Sequence, residues 1–375
     1  MHGLLPTVVR NQLSRIFWTA RDQACPASDA QDGLPPCVPL ETLEALCRQH
    51  LGATYRDATH LRLSSWKPRG TYRLELTTGG GARWRVIFRD ESCSSAENPA
   101  LRALPVTVGP PEFAVHQAQR PALARFLPDL YWSQEVERGV RFQYLMADLG
   151  DGFERITADG PDLKLAVKAL LQLQAALRAT FNHGGHRYLA VYDRQYSEDL
   201  LDYARRSLEA YRAGRSEPAI DELCRSWQRV VAVHQREEFY QHRLAVPIHG
   251  DYRPSNLHLD ARDRTQVKVV GWEWAGIGVP HADLASLLKG VDPAAERAAL
   301  ELFARAHGEL DAGEHLRLLR WCQLERRLLD TGFVARRQMA AGQLPRVDHL
   351  VAEAAADVLR STEMLEAAPR RLAVA

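Results

Sequence analysis

The apolar periodicity of this chain changes once, and that change limits the folds open to it. Over residues 62–89, and again over 131–136 and 141–145, apolar residues tend to recur at every second position, as on strands with one buried face. Gly79-Gly80-Gly81 and Glu137-Arg138-Gly139 interrupt these runs as hairpin turns. From Pro161 onward the spacing is helical: Leu163, Val167, Leu170, Leu171, Gln174, Leu177 and Phe181 fall on one stripe. Further helical patterns cover 199–211, 217–240, 294–307, 314–331 and 347–365, and an amphipathic helix is expected over 38–51. The expectation is an α+β chain, with a small antiparallel sheet in a first lobe, 39–147, and a mainly helical second lobe, 148–375. Residues 1–38 precede both as an N-terminal helix and a Pro/Ser/Asp-rich linker.

Composition narrows the function classes. The chain has 375 residues, room for two lobes, and 48 Lys+Arg oppose 47 Asp+Glu for a net charge of +1. Nothing in that balance argues for nucleic acid or an anionic membrane surface as partner. No apolar run reaches the length of a membrane span. The six cysteines lack C-x-x-C spacing, which argues against a disulfide framework or structural zinc and fits a cytoplasmic protein.

The helical half is interrupted by residues 246–288, where loop and β-branched residues carry an unusual density of polar groups. His249-Gly250-Asp251 is followed five residues after the aspartate by Asn256. Transfer of a phosphoryl group to a hydroxyl needs a carboxylate to position the acceptor and take its proton, and oxygen ligands for magnesium beside the nucleotide phosphates. An H-x-D-x-x-x-x-N loop supplies one carboxylate and one amide oxygen at that spacing.

The run His249-Gly250-Asp251, Asn256, Asp260, a β segment, Trp272-Glu273 and then Asp283-Leu284-Ala285 resembles the signature of the aminoglycoside phosphotransferase and choline kinase-like family, small-molecule kinases with a two-lobed protein-kinase-like fold. The resemblance is dense over about forty residues and loose before them. It implies Asp251 as catalytic base, Asn256 as magnesium ligand, His249 as support for the loop backbone and Asp283 as the tie between loop and following helix. It also implies ATP or GTP with magnesium, and a small hydroxylated acceptor such as a sugar, an amino alcohol or an aminoglycoside-like metabolite. Trp66-Lys67-Pro68-Arg69-Gly70 stands where the family covers the phosphates. Arg89 stands where its phosphate-contacting cation lies and Glu112 where that cation's helix partner lies, while Met146 to Leu149, including Asp148, stand at the hinge facing the adenine. For Arg89 an exposed strand-end arginine, and for Glu112 a first-turn residue facing the helix dipole, are the open alternatives. The seven basic residues of 62–89 against one Glu75 suit either a phosphate-facing sheet or a solvated face.

One position departs from the family. The second metal carboxylate belongs immediately before Trp272, and Gly271 occupies it. Glu273, and less directly Asp260, are the candidates to replace it. A nucleotide-binding pseudokinase or scaffold is therefore the alternative to an active kinase. A metal-dependent hydrolase using His249, Asp251 and His258 is a third reading, without recognisable ligand spacing.

Overall fold

The computed structural model describes residues 31–63, 70–92, 110–118, 121–181, 189–213, 217–236, 239, 245–307, 310–340 and 348–368. The helix expected in 1–22 and most of the segment 66–70 lie outside them. The fold divides into two compact units. The first takes in the described residues of 1–101, Val108–Ile156 and Pro254–Glu273; the second takes in Thr157–Arg253 and the described residues from Trp274 onward.

The first unit is built on a six-stranded antiparallel sheet in the order β1-β2-β3-β4-β6-β5. Its strands are β1 (Gln31–Asp32), β2 (Tyr55–Arg62), β3 (Gly70–Thr78), β4 (Arg83–Ser92), β5 (Leu130–Glu137) and β6 (Arg141–Ala147). Alternation sets its buried face: Leu74 and Leu76 on β3 and Val86 and Phe88 on β4 have no exposed surface. Helix α1 (Leu40–Leu51) covers that face with Leu43, Leu46 and Cys47. The strand expected at 62–66 lies earlier, at 55–62. Only Ala58 of β2 is fully buried, so this strand next to the sheet edge carries little apolar signal. Helix α2 (Pro110–Ala118) begins where proline and glutamate predict a start.

A second, three-stranded sheet in this unit joins β7 (Phe153–Arg155), β10 (Leu257–Asp260) and β11 (Val267–Val269). Strand β7 was not expected, because three residues are too few to show a period. The basic face of 62–89 is balanced from elsewhere. Arg73 pairs with Asp148 at 2.8 Å, Arg83 with Glu75 at 2.9 Å, and Arg89 is buried among carboxylates. Of the three only Arg89 is buried; Arg83 stands on a solvated face with 75% of its side chain exposed, and Arg73 is partly exposed.

The second unit is mainly helical. Helix α4 (Gly160–Phe181) buries the stripe read from its sequence, and α5 (Arg194–Arg212) begins at Asp193, whose carboxylate accepts from the Tyr196 amide at 3.0 Å. The single helix expected over 217–240 is two, α6 (Pro218–Arg225) and α7 (Trp227–His234), meeting at Ser226 with φ −84° and ψ 3°. Helix α10 (Ala312–Ala340) runs past the expected end at Thr331. Gly332 is no stop there: a Cβ on it would lie 2.5 Å from Cε1 of Tyr203, so the glycine admits a close approach to α5. A small sheet of β8 (Ala190–Val191), β12 (Gly276–Gly278) and β9 (Val246–Ile248) places the residues just before His249 and just after Ala275 side by side.

Three histidines form a chain inside this unit. The His307 Nε2–H donates to Gln174 Oε1 at 3.1 Å and the His315 Nε2–H donates to the His307 carbonyl at 3.2 Å. That leaves His315 Nδ1 to accept from His281 Nε2–H at 2.9 Å. Burial lowers all three from the ordinary histidine value, His307 to about 4. Their folded values lie below the unfolded one, so the unfolded chain takes up protons first as pH falls. For His307 the stability is complete above about pH 6.5 and declines between about 6.5 and 4, at no more than ~1.4 kcal/mol per pH unit, and the other two act in the same direction. Urea unfolding across that window checks the slope, and His307→Gln is expected to make it shallower.

Candidate active site

The loop after β9 is held by its own backbone. Asp283, fully buried near the start of α8 (His281–Leu287), accepts the His249 amide at 3.0 Å and the Gly250 amide at 2.8 Å. His249 Nδ1 accepts the Asp251 amide at 3.1 Å, which puts the ring proton on Nε2. Gly250 has φ +79°, and a Cβ there would stand 2.0 Å from the Trp274 carbonyl oxygen, so only glycine fits. These contacts turn Asp251 into an ordered carboxylate. The Arg326 Nη2 lies 2.7 Å from its Oδ1 and the Arg253 Nη2 lies 3.0 Å from its Oδ2. Two guanidinium groups hold the group as an anion and fix both oxygens.

Behind Asp251 the charges continue. Arg326 Nε lies 3.4 Å from Asp330 Oδ1, and Lys289 Nζ donates to Asp330 Oδ2 at 2.5 Å. Burial opposes ionisation of Asp330, yet Lys289 and Arg326 hold its carboxyl well below the usual range. Asp283 goes the other way. Burial raises it to about 6 against the pull of the two loop amides. Above about pH 6 Asp283 is the anion that clamps the loop; below it the carboxyl is neutral and the clamp weakens. Turnover is therefore expected to show an acid limb near pH 6, and Asp283→Asn to lower the rate at pH 8 and remove that limb.

The remaining residues of the motif belong to the first unit. Asn256 ends a 3-10 turn, and its carbonyl accepts the Val270 amide at 3.0 Å, which brings Gly271 against the Asn256 side chain. Gly271 has φ +78°, and a Cβ on it would lie 3.0 Å from the Cγ, Oδ1 and Nδ2 atoms of Asn256. The backbone thus directs a side chain at position 271 toward the Asn256 amide. With glycine there, it contributes no oxygen.

Glu273 does not fill that gap. Its Oε1 lies 3.1 Å from Arg89 Nη2. Arg89, 7% exposed and three residues before the end of β4, also bonds Glu112 on α2 and Glu91 on its own strand, with Nε donating to Glu91 Oε1 at 3.1 Å. The exposed-arginine and helix-dipole alternatives are thereby replaced by a buried pair, Arg89 with Glu112. The carboxylates of Glu91, Glu112 and Glu273 approach within 4.8 Å of one another, the one such group among the described residues. Burial raises Glu112 against the pull of Arg89, and the carboxylates drive the guanidinium well above its ordinary value.

The other named positions are placed as follows. Asp260 accepts the Arg262 and Asp263 amides at 2.7 and 2.9 Å in an exposed turn, a structural use of its carboxylate. Asp148 is engaged by Arg73, and Met146 is a buried residue of β6 beside Leu130 and Ile87. His258 lies on β10 in the first unit, its ring lowered to about 4 by burial and Arg155. The trio of a metal-dependent hydrolase, with His249 Nδ1 already accepting the Asp251 amide, does not form a ligand group among the described residues. Sequence reading passed over Arg326, which has no local signal. It also passed over Glu91, whose signal was its place two residues from Arg89 on the same strand face.

The model of the phosphotransferase enzyme family matches residues 71–322. The chain belongs to that family. Its members' overall architecture recurs in solved structures at low identity. A Ralstonia eutropha JMP134 protein described as an aminoglycoside phosphotransferase is 18% identical with a TM-score of 0.55, over 88% of this chain and 99% of that one. Wild-type aminoglycoside 2'-phosphotransferase-IIIa, solved with GDP, is 15% identical with a TM-score of 0.51, over 87% of this chain and 99% of that one. The amicoumacin kinase hAmiN, solved with AMP-PNP, Ca2+ and Ami, is 13% identical with a TM-score of 0.51, over 81% and 88%. At these identities the likeness establishes the protein-kinase-like fold. Among curated proteins no relative matches the chain.

Proposed function

We propose that this family member transfers the terminal phosphoryl group of a nucleoside triphosphate to a hydroxyl of a small molecule, with Asp251 as the base. The observation that supports it most is the construction around Asp251. A backbone clamp from Asp283 and two guanidinium groups orient a single carboxylate. Asp251 orients the acceptor hydroxyl and takes its proton as the oxygen attacks, while the positive ends of Arg253 and Arg326 keep the carboxylate ionised until then.

Magnesium, which the family reading implies, finds few oxygens here. Of the expected ligands Asn256 offers its amide, Gly271 offers nothing and Glu273 is engaged by Arg89. The donor set does not fit an octahedral oxygen site, and we draw no step through the metal. Gly271 favours the second reading, a nucleotide-binding protein without transfer activity.

Incubation with ATP or GTP, magnesium and a panel of hydroxylated metabolites separates the two. Release or transfer of γ-phosphate supports the enzyme. Stabilisation by nucleotide of about 2.7 kcal/mol at a hundred times Kd, with no turnover, supports the binder. Gly271→Asp adds a diagnostic. Aspartate tolerates the left-handed region at a cost of about 1 kcal/mol. If the missing carboxylate limits the reaction, magnesium-dependent turnover is expected to rise by about tenfold or more, ~1.4 kcal/mol off the barrier. An unchanged rate would show that Gly271 is not what limits it.

The acceptor is expected to be a natural metabolite instead of a polycationic aminoglycoside. On α5 the acidic residues are consumed locally: Asp202 and Glu209 pair with Arg205 and Arg206, and Asp221 of α6 with Arg212.

A further inference from the structure

The carboxylates around Arg89 outnumber the guanidinium that meets them. Glu91, Glu112 and Glu273 approach within 4.8 Å of one another inside the first unit, and Arg89 reaches Oε1 of each. With all three ionised, they carry two more charges than this arginine offsets. His116, one turn further along α2, brings Nε2 only to 3.8 Å from Glu112 Oε1, beyond hydrogen-bond length. Burial already resists ionisation of Glu112, so a second positive charge is what the group lacks.

Two buried oxygens at the same place are left over. Glu112 Oε2, on a side chain 1% exposed, has no hydrogen-bond partner among the described residues. The Tyr144 hydroxyl, on a residue with no exposed surface, makes no hydrogen bond of ordinary geometry among them either. Tyr144 stands opposite Arg89 across β4 and β6, and its ring centre lies 5.5 Å from the guanidinium carbon. The charges that act on its hydroxyl are those of Arg89, Glu112 and Glu91, so it is directed into the carboxylate group. Buried oxygens normally find a donor or a cation.

We propose that Glu91, Glu112 and Glu273, with the Tyr144 hydroxyl beside them, form a site for a divalent cation that prefers oxygen. Separations below 4.8 Å are those found across one coordination sphere with metal–oxygen bonds of about 2.1–2.4 Å, so the spacing suits a single ion and no larger cation. The ligand group holds neither thiol nor imidazole, which selects magnesium, calcium or manganese over zinc or copper. Arg89 need not leave. A carboxylate has two oxygens, so Oε1 stays on the guanidinium while Oε2 turns to the ion. Glu273, with 15% of its side chain exposed against 3% and 1% for Glu91 and Glu112, marks the side from which the ion enters. Of the magnesium ligands expected from sequence, Asn256 and Glu273, the group shares only Glu273. It needs no nucleotide and so stands apart from the phosphotransferase reading.

The test is titration of the full chain, stripped with a chelator and free of nucleotide, with Mn2+ alone, the free ion being followed by its paramagnetic resonance signal. Uptake of one ion per chain with Kd below about 1 mM is expected, and Ca2+ and Mg2+ should compete for it. Glu112→Gln is expected to weaken uptake by about tenfold or more, and Glu273→Gln by a similar factor. The second variant lies at the more exposed side and decides the matter if the first does not fold. Asn256→Ala, which removes the other expected magnesium ligand, should leave the affinity within about twofold. The ion should also raise the melting temperature of the wild type more than that of Glu273→Gln. No saturable uptake up to about 10 mM, well above the weakest calcium modules, would overturn the site. So would unchanged affinity in a folded glutamate variant, or a loss in Asn256→Ala as large as theirs. Uptake without phosphoryl transfer upholds the site and counts against the enzyme reading, whereas transfer without uptake at these glutamates does the reverse.

Discussion

Asp251→Asn is expected to lower phosphoryl transfer by about a thousandfold, within the range that a positioned base contributes, while the protein remains folded and nucleotide affinity stays within about twofold. Asparagine keeps the volume and one oxygen, so Arg326 retains an acceptor. Its amide, however, places donors against the donors of Arg253, which lies 3.0 Å from the wild-type Oδ2. Some stability is lost with that contact, of order 1 kcal/mol. The measurement is steady-state transfer with the best acceptor from the metabolite panel, alongside a melting curve. A rate within tenfold of wild type would remove Asp251 from the role of base. It would leave the guanidinium pair as a purely structural lock on the loop.

Asp330→Ala acts on the support behind that base, and its effect is on the whole second unit. The substitution takes from Lys289 and Arg326, both largely buried, the carboxylate that now lies 2.5 and 3.4 Å from them, while Arg326 keeps Asp251 at 2.7 Å. Removing one partner of a buried charge group costs about 3–5 kcal/mol, because the other charges stay desolvated. Denaturant unfolding should show a loss of that size. Adding Lys289→Met to the variant removes one stranded charge and is expected to recover part of it, a coupling that only neighbours show. A loss below about 1 kcal/mol, or strict additivity in the double variant, would mean that water reaches the network and screens it. Turnover should fall beyond what stability explains, since Arg326 also holds Asp251.

The parts of this fold that sequence exposed were those with long periods or short dense motifs. Helix α4 and strands β3 to β6 carry enough periodicity to be read, and the tie from Asp283 to the loop was what the family resemblance implied. Strand β2 escaped because it is only partly buried, and the break at Ser226 because neither glycine nor proline marks it. The end of α10 was misplaced because Gly332 serves packing against Tyr203, a reason invisible without the neighbour. At the site, sequence named Asp251, Asn256 and Arg89 but not their electrical surroundings. Arg326 reaches Asp251 from 75 positions away, and Glu273 turned out to be a partner of Arg89. Contacts made across the chain by isolated charges leave no pattern along it.

The carboxylates around Arg89 constrain how the position can vary among relatives. Arginine brings a planar fork that donates along several edges at once, and here its edges reach Glu91, Glu112 and Glu273. Lysine has one compact charge and cannot span all three. A relative with lysine at this position would therefore need a neutral residue in place of Glu91 or Glu273, so these positions should change together through descent.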